Sequence, residues 1–186
     1  MKKLCSSQSG FTLIEILVTL IILLIGLLGI AALQGKSQQV QVEAYQRSQA
    51  MILLKDMANR MSVRNQRWAP SYAITGSDGT PFLGVGHSGT MDVGDTMTDT
   101  DLNAWDAALK GAAETEGGQN VGAMIGARGC ISRIGTTHQY VISVAWQGLN
   151  ATVASTDPCA SGLYGTNDAL RRVASVTIQI TAQLRN

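Results

Sequence analysis

The sequence predicts an α+β protein: a long N-terminal helix packed on a C-terminal antiparallel sheet. One observation is the run Phe11–Leu33, 23 residues in which Glu15 is the only charge. A bilayer core needs about 20 helical residues, so this run is long enough to span it. Another is the recurrence of Ala50, Leu53, Leu54, Met57 and Met61 at spacings of three and four, which builds one apolar stripe on a helix. The third lies near the C-terminus. Val173, Ser175, Thr177, Gln179 and Thr181 alternate with Ala174, Val176, Ile178, Ile180 and Ala182, which is the period of a strand.

The elements follow in order. Residues 11–33 are apolar on every side, and residues 34–67 continue the helix in amphipathic form, Pro-free and with Gly35 the only glycine. The stripe with its methionines is expected to be core, while Asp56 and Arg60 make an i,i+4 pair on another face. Trp68-Ala69-Pro70 stops the helix near Arg67, because a residue before proline avoids the helical region. A globular α+β domain is expected over 68–186. Residues 71–98, rich in Gly, Ser, Thr and Asp, read as loop. Leu102, Trp105, Ala108 and Leu109 share one face of a short helix from about Asp101 to Ala113, with Asp99 or Thr100 as its cap. Gly117-Gly118 breaks the chain. Strands are expected over Ala127–Ile134, Gln139–Trp146 and Arg172–Leu184, with a turn at Gly135–His138 and a loop holding Asp157-Pro158-Cys159 and Gly162. Strands after helices with hairpin-length links give an antiparallel sheet.

The residues richest in chemistry are Ser9-Gly10-Phe11-Thr12-Leu13-Ile14-Glu15, between a short polar stretch and the apolar run. A carboxylate inside an apolar span costs about 2.5–3.5 kcal/mol near its centre, so Glu15 is a functional-site candidate and needs a partner. G-F-T-L-I-E after Lys2 and Lys3 resembles the N-terminal signal of type IV prepilins and of the pseudopilins of type II secretion. The resemblance implies a leader, residues 1–10, removed by a prepilin peptidase that cuts after Gly10 and N-methylates Phe11. Glycine has no Cβ, which permits close backbone approach at the scissile bond. An ordinary signal-anchor fits the length but not the motif. A secretory signal peptide has an apolar region of about 7–15 residues, shorter than this one.

Further stretches look like the PilV-type minor pilins: Ile25–Gln34, Asp56–Met61, the Asp101–Trp105–Leu109 helix, and Tyr140 through Gly148. Ala32 departs from many major pilins, which carry a helix-breaking proline there. The resemblance implies a pilin-like fold and a minor pilin that primes or permits pilus assembly. The expected partners are the prepilin peptidase/N-methyltransferase, other minor and major pilins, the inner-membrane assembly machinery and membrane lipid. By the positive-inside rule Lys2 and Lys3 favour a cytoplasmic N-terminus, which puts the bulk of the chain in the periplasm before assembly and on the cell surface after it. A minor pseudopilin and an adhesive or DNA-capturing pilin are the alternatives.

Cleavage frees the α-amino group of Phe11, cationic at neutral pH with a reference pKa near 8. In apolar surroundings this charge and Glu15 each need a partner. The family implies that Glu15 of one subunit pairs with the N-terminus of a neighbour and sets axial register. Phe11 and Glu15 are also i,i+4, so a contact within one helix is the other reading.

Removing the leader turns the formal net charge of +1 into −1. No Lys/Arg stripe carries interleaved aromatics, so no specific nucleic-acid partner is expected. Cys5 leaves with the leader, and Cys130 and Cys159 remain as an even pair in an oxidising compartment. A bridge there is worth about 3–4 kcal/mol in the chain-entropy picture; two free thiols are the alternative.

Other motifs fall short. Gly84-Val85-Gly86-His87-Ser88-Gly89 fits G-x-G-x-x-G but lacks the strand before and the helix after it. Asp99-Thr100-Asp101 begins like a calcium loop, yet Ala104 stands where glycine is needed and Lys110 where the bidentate glutamate belongs. Asp92, Asp95, Asp99 and Asp101 read as a solvated acidic loop. His87 and His138 have no local partners and read as surface histidines. Asn150-Ala151-Thr152 is a glycosylation sequon. No nucleophile, base and orienting group come together, so no enzymatic role, cofactor or metal is expected.

Overall fold

The computed structural model describes residues 11–112, 115–117, 119–120 and 124–181. Its contacts divide the chain into two compact units, Met1–Val42 and Glu43–Asn186. The predicted α+β architecture is observed: a 50-residue helix α1 (Leu13–Ser62), a second helix α2 (Thr96–Leu109) and a four-stranded antiparallel sheet.

In the first unit the described residues form helix with every face exposed. In the second, α1 buries Gln46, Ala50, Leu54, Met57 and Met61, with Leu53 partly buried beside them, which is the predicted stripe extended by one turn. The helix ends at Ser62, short of the expected Arg67. The side-chain oxygen of Asn65 accepts from the N–H groups of Arg67 (3.0 Å) and Trp68 (3.3 Å). Asparagine competes for backbone donors in this way and diverts the chain into a turn. A 3₁₀ turn, Ala69–Tyr72, follows with Pro70 at its start, where a missing N–H costs nothing.

The strands are β1 (Leu83–Gly84), β2 (Thr115–Glu116), β3 (Gln119–Asn120), β4 (Arg128–Arg133), β5 (Gln139–Gln147) and β6 (Arg171–Gln179). The sheet runs β1-β4-β5-β6, and β2 and β3 pair separately. The three long strands fall where the alternation put them. The last is shorter than expected, and residues 182–184 lie outside the described residues, as does Gly118.

Residues 71–98 correct the sequence reading. They hold β1, whose two residues are too few to show a period, and the first turn of α2. That helix starts five residues before Asp101. Its cap is Asp95, not Asp99 or Thr100: the Asp95 carboxylate accepts from the Thr98 N–H at 3.3 Å. Such a cap contributes about 0.5–2 kcal/mol. The first turn, Thr96–Asp99, is polar enough to pass for loop.

The sheet is covered on both faces. On one, Ile131, Tyr140, Ile142, Val144 and Trp146 join the α1 stripe and the α2 residues Leu102, Trp105 and Leu109 in the main core. Ala174, Val176 and Ile178 of β6 pack against it. On the other, Cys130 and Ala145 lie under Cys159, Ala160 and Tyr164 from the loop between β5 and β6. Burial of a large apolar side chain is worth about 1.5–3 kcal/mol, so both clusters contribute to holding the sheet.

Candidate functional site

Thr12 starts α1. Its carbonyl accepts from the N–H groups of Glu15 (3.1 Å) and Ile16 (3.4 Å), and its hydroxyl lies 3.4 Å from the Glu15 N–H. Glu15 thereby falls in the first turn, where the exposed N–H groups and the helix dipole favour a negative charge. Phe11 is 80 % exposed, just before that turn. Among the described residues no hydrogen bond or ion pair reaches the Glu15 carboxylate. Phe11 and Glu15 are thus brought to one helix start but are not paired, and Gly10 lies outside the described residues. Leu13, Ile14, Ile16 and Leu17 are each half-exposed or more, on successive faces. By length and composition this helix can cross a membrane.

Residues 5–31 match the family described as the prokaryotic N-terminal methylation motif. The chain carries a type IV prepilin-like N-terminus. No curated protein and no solved structure matches. A prepilin-like N-terminus implies processing by a prepilin peptidase and a pilin-like assembly context.

In the second unit, the 148–170 loop is fixed by a few side chains. Cys130 and Cys159 form a disulfide with their Cα atoms 5.8 Å apart, tying the loop to β4. The Arg171 guanidinium, almost fully buried, donates to the carbonyls of Asp157 (2.6 Å), Cys159 (2.9 Å) and Ser155 (2.7 Å). Its Nε lies 3.1 Å from Asp168. Asp168 also accepts from the N–H groups of Gly162 (2.7 Å) and Tyr164 (3.2 Å) and from the Ser161 hydroxyl (3.1 Å). Burial alone would push this carboxyl up; the donors and Arg171 outweigh it and hold it below its ordinary value. Among the described residues three non-glycine residues have positive φ, Ala160, Asn167 and Asp168, and all lie in this loop. At the loop base Arg172 donates to the Asn150 carbonyl and the Thr152 hydroxyl, both at 2.6 Å, so the sequon threonine is engaged.

The Gly84–Gly89 stretch is structural. A Cβ on Gly84 would stand 2.4 Å from the Ala127 carbonyl oxygen, and φ there is +93°. Its N–H donates to Asp106 at 2.7 Å. The expectation for His87 is corrected: the ring is largely buried, with Nδ1 3.1 Å from the same Asp106, which also pairs with Lys110 at 2.5 Å. The partner stands 19 residues away, so no local pattern announces it. The i,i+4 pair Asp106–Lys110 beside Trp105 is the one signal that was readable.

The acidic stretch is also built in. Asp92 accepts from the Gly94 N–H, Asp99 from the Val93 N–H, and Asp95 pairs with Arg64 as well as capping α2. Asp101 accepts from Arg60 (3.0 Å) and from the Tyr72 hydroxyl (2.5 Å). Burial and this carboxylate push the Tyr72 phenol well above its ordinary value. Among the described residues no group of three His, Cys, Asp or Glu side chains is placed to hold a metal.

Proposed function

We propose that this chain is a minor pilin of a type IV pilus, of the PilV type. Residues 1–10 are the leader, 11–33 the anchor that moves from the inner membrane into the filament core, 34–67 the helix that carries the domain, and 68–186 the pilin domain. The prepilin peptidase cuts after Gly10 and methylates Phe11. Glu15 then pairs with the N-terminus of a neighbouring pilin and sets its register. The domain faces the periplasm before assembly and the surface afterwards, and the chain works as a structural part rather than an enzyme. The observation that carries this reading is the methylation motif over residues 5–31, joined to an apolar stretch of helix, 13–33, that is exposed on every face. Such a helix needs lipid or neighbouring helices around it.

The test is mass spectrometry of the N-terminal peptide from sheared surface filaments and from the inner-membrane fraction. A methylated Phe11 terminus in the filaments is the expected result. The same terminus confined to the membrane fraction assigns the chain to a pseudopilin or a basal complex. A chain that keeps residues 1–10 in both fractions overturns the proposal.

A further inference from the structure

Within the second unit Arg60, Arg64, Arg171 and Arg172 each meet a carboxylate, and Arg133 donates to two loop carbonyls. Arg128, half-buried at the start of β4, differs. Among the described residues no carboxylate reaches it. Its Nη1 donates to the Gly126 carbonyl (3.2 Å), its Nε is buried without a partner, and its Nη2 makes no hydrogen bond to a described residue. The orientation of this guanidinium is fixed all the same. Its central carbon lies over the Phe82 ring, 5.3 Å from the centroid, and over the Tyr164 ring at 5.0 Å, both within reach of a cation–π attraction. Tyr164 is buried, and its hydroxyl donates to the same Gly126 carbonyl (2.7 Å). Both rings belong to the smaller core cluster, so the charge is held by packed parts of the domain.

Glycines flank the Nη end. A Cβ on Gly126 would stand 3.5 Å from Nη1, and one on Gly86 would stand 3.8 Å from Nη2, so neither neighbour puts a side chain over that edge. The other charges close by are already matched. Gly84, the β1 partner of Arg128, donates its N–H to Asp106, and this carboxylate meets both Lys110 and His87. Beside Tyr164, Asp168 pairs with Arg171. The site thus carries one positive charge without a counter-charge among the described residues. Around it Val85, Ile125 and Leu163, which adjoin Gly86, Gly126 and Tyr164 in sequence, are each more than a third exposed.

We propose that Arg128 anchors a protein-docking site that takes one carboxylate, an Asp or Glu side chain set among apolar residues on another protein. The chemistry of the site selects this occupant. A planar fork with a single charge matches a carboxylate through its Nη edge. A nucleic-acid backbone is held by several cations, and this site offers one. An ion pair left in water binds weakly, so the contact needs the apolar rim to keep water from it. Arginine and aromatic residues ringed by water-excluding contacts are the composition of binding hot spots. The inference goes beyond the pilin reading and holds whether or not the partner is a pilin.

The experiment is arginine labelling with phenylglyoxal, read at single residues by mass spectrometry, with exposed Arg67 as the reference. It compares the full chain purified in detergent with the full chain in membranes isolated without detergent from the cells that make it. Arg128 is expected to be labelled readily in detergent and about tenfold or more slower in the membranes. Equal rates overturn the proposal. Slow labelling already in detergent means that the chain covers its own arginine and overturns it too. Protection of the purified chain in phosphatidylglycerol nanodiscs assigns the anion to lipid phosphate, a third overturning result. A photoreactive p-benzoylphenylalanine at position 163 then identifies the contact in the membranes. The cross-linked peptide is expected to hold an Asp or Glu beside apolar residues; a peptide with no acid overturns the proposal. Arg128→Met keeps an apolar stem against both rings, and is expected to retain the melting temperature and the Cys130–Cys159 bridge while the cross-link falls about tenfold. An unchanged cross-link in that variant overturns the docking site. Arg128→Glu should abolish the cross-link, and exchange of the mapped acid for arginine should restore it. A chain that keeps residues 1–10 would overturn the pilin reading and leave these readouts unaffected.

Discussion

A Cβ on Gly129 would sit 2.4 Å from Cη2 of Trp105. The same atom would stand 2.6 Å from Cδ1 of Leu109, so α2 rests on the bare backbone of β4 at this point. The Trp105 indole, fully buried, donates to the Leu53 carbonyl of α1 at 3.0 Å. One tryptophan thus touches α1, α2 and the sheet together. Gly129→Ala is expected to push Trp105 away and to destabilise the domain by about 1–3 kcal/mol, the range for overpacking a tight core. Thermal unfolding of the full chain in detergent, followed by tryptophan fluorescence, checks it; an unchanged transition would show that the ring shifts freely.

Trp105→Phe keeps most of the apolar volume and removes the donor to Leu53. The expected loss is about 0.5–1.5 kcal/mol for the hydrogen bond, with further loss from the smaller ring. The Leu53 carbonyl keeps its position in the helical ladder, so the change should stay at the lower end for the bond itself. Urea unfolding at constant m-value is the measurement.

Much of this arrangement was readable beforehand, and the failures have a common cause. The α1 stripe from Ala50 to Met61 and the alternation through Val173–Ile180 are local periods, and they landed on the elements they predicted. The cysteine pair was readable from parity and compartment. By contrast, β1 is two residues long, and the first turn of α2 is Thr-Met-Thr-Asp, which carries no apolar period. The grip of Arg171 on the 148–170 loop and of Asp106 on Gly84 and His87 joins residues distant in sequence. Side chains that bond carbonyls of a folded loop leave no periodic mark. Glu15 is legible for the opposite reason: a lone charge in an apolar run is conspicuous wherever its partner lies.

The disulfide closes a 29-residue separation and fixes the covering loop to β4. Replacing both cysteines by serine is expected to cost about 3–4 kcal/mol in the chain-entropy picture. The loss should fall first on the loop, because Cys159 and Tyr164 cover Cys130 and Ala145 there. Limited proteolysis is the check: cleavage between residues 148 and 170 should precede any cut in α1. Simultaneous cutting of both would mean that the bridge supports the whole domain equally.

Asp168 gives the loop a pH dependence with a definite sign. Its carboxyl is held below its ordinary value of 3.8 in the folded chain, against burial, by the Gly162 and Tyr164 N–H groups, the Ser161 hydroxyl and Arg171. The stability it contributes is therefore present above the unfolded value and lost as pH falls from there through the lower folded value. Asp168→Asn removes that slope and leaves Arg171 buried opposite a neutral amide. The variant should be less stable at neutral pH, with the difference from the parent chain shrinking below pH 3.8. A constant difference across that range would mean that other carboxylates govern the acid transition.

On the proposed reading, Glu15 separates insertion from assembly. A carboxylate in an apolar helix opposes membrane insertion, by about 2.5–3.5 kcal/mol near the centre and less toward an end. Glu15→Leu therefore makes insertion easier, and Gly10 and Phe11, which carry the proposed cleavage, are untouched. The variant is expected to be cut normally, to accumulate in the membrane, and to be lost from filaments, because under the proposed pairing the neighbour's amino group loses its counter-charge. Glu15→Gln keeps the shape without the charge and should be lost to a similar degree. The check is the ratio of mature protein in sheared filaments to that in membranes, with the N-terminal mass confirming cleavage. Incorporation of Glu15→Leu at the normal ratio would mean that the carboxylate pairs at most with its own Phe11, four residues back, and sets no register between subunits.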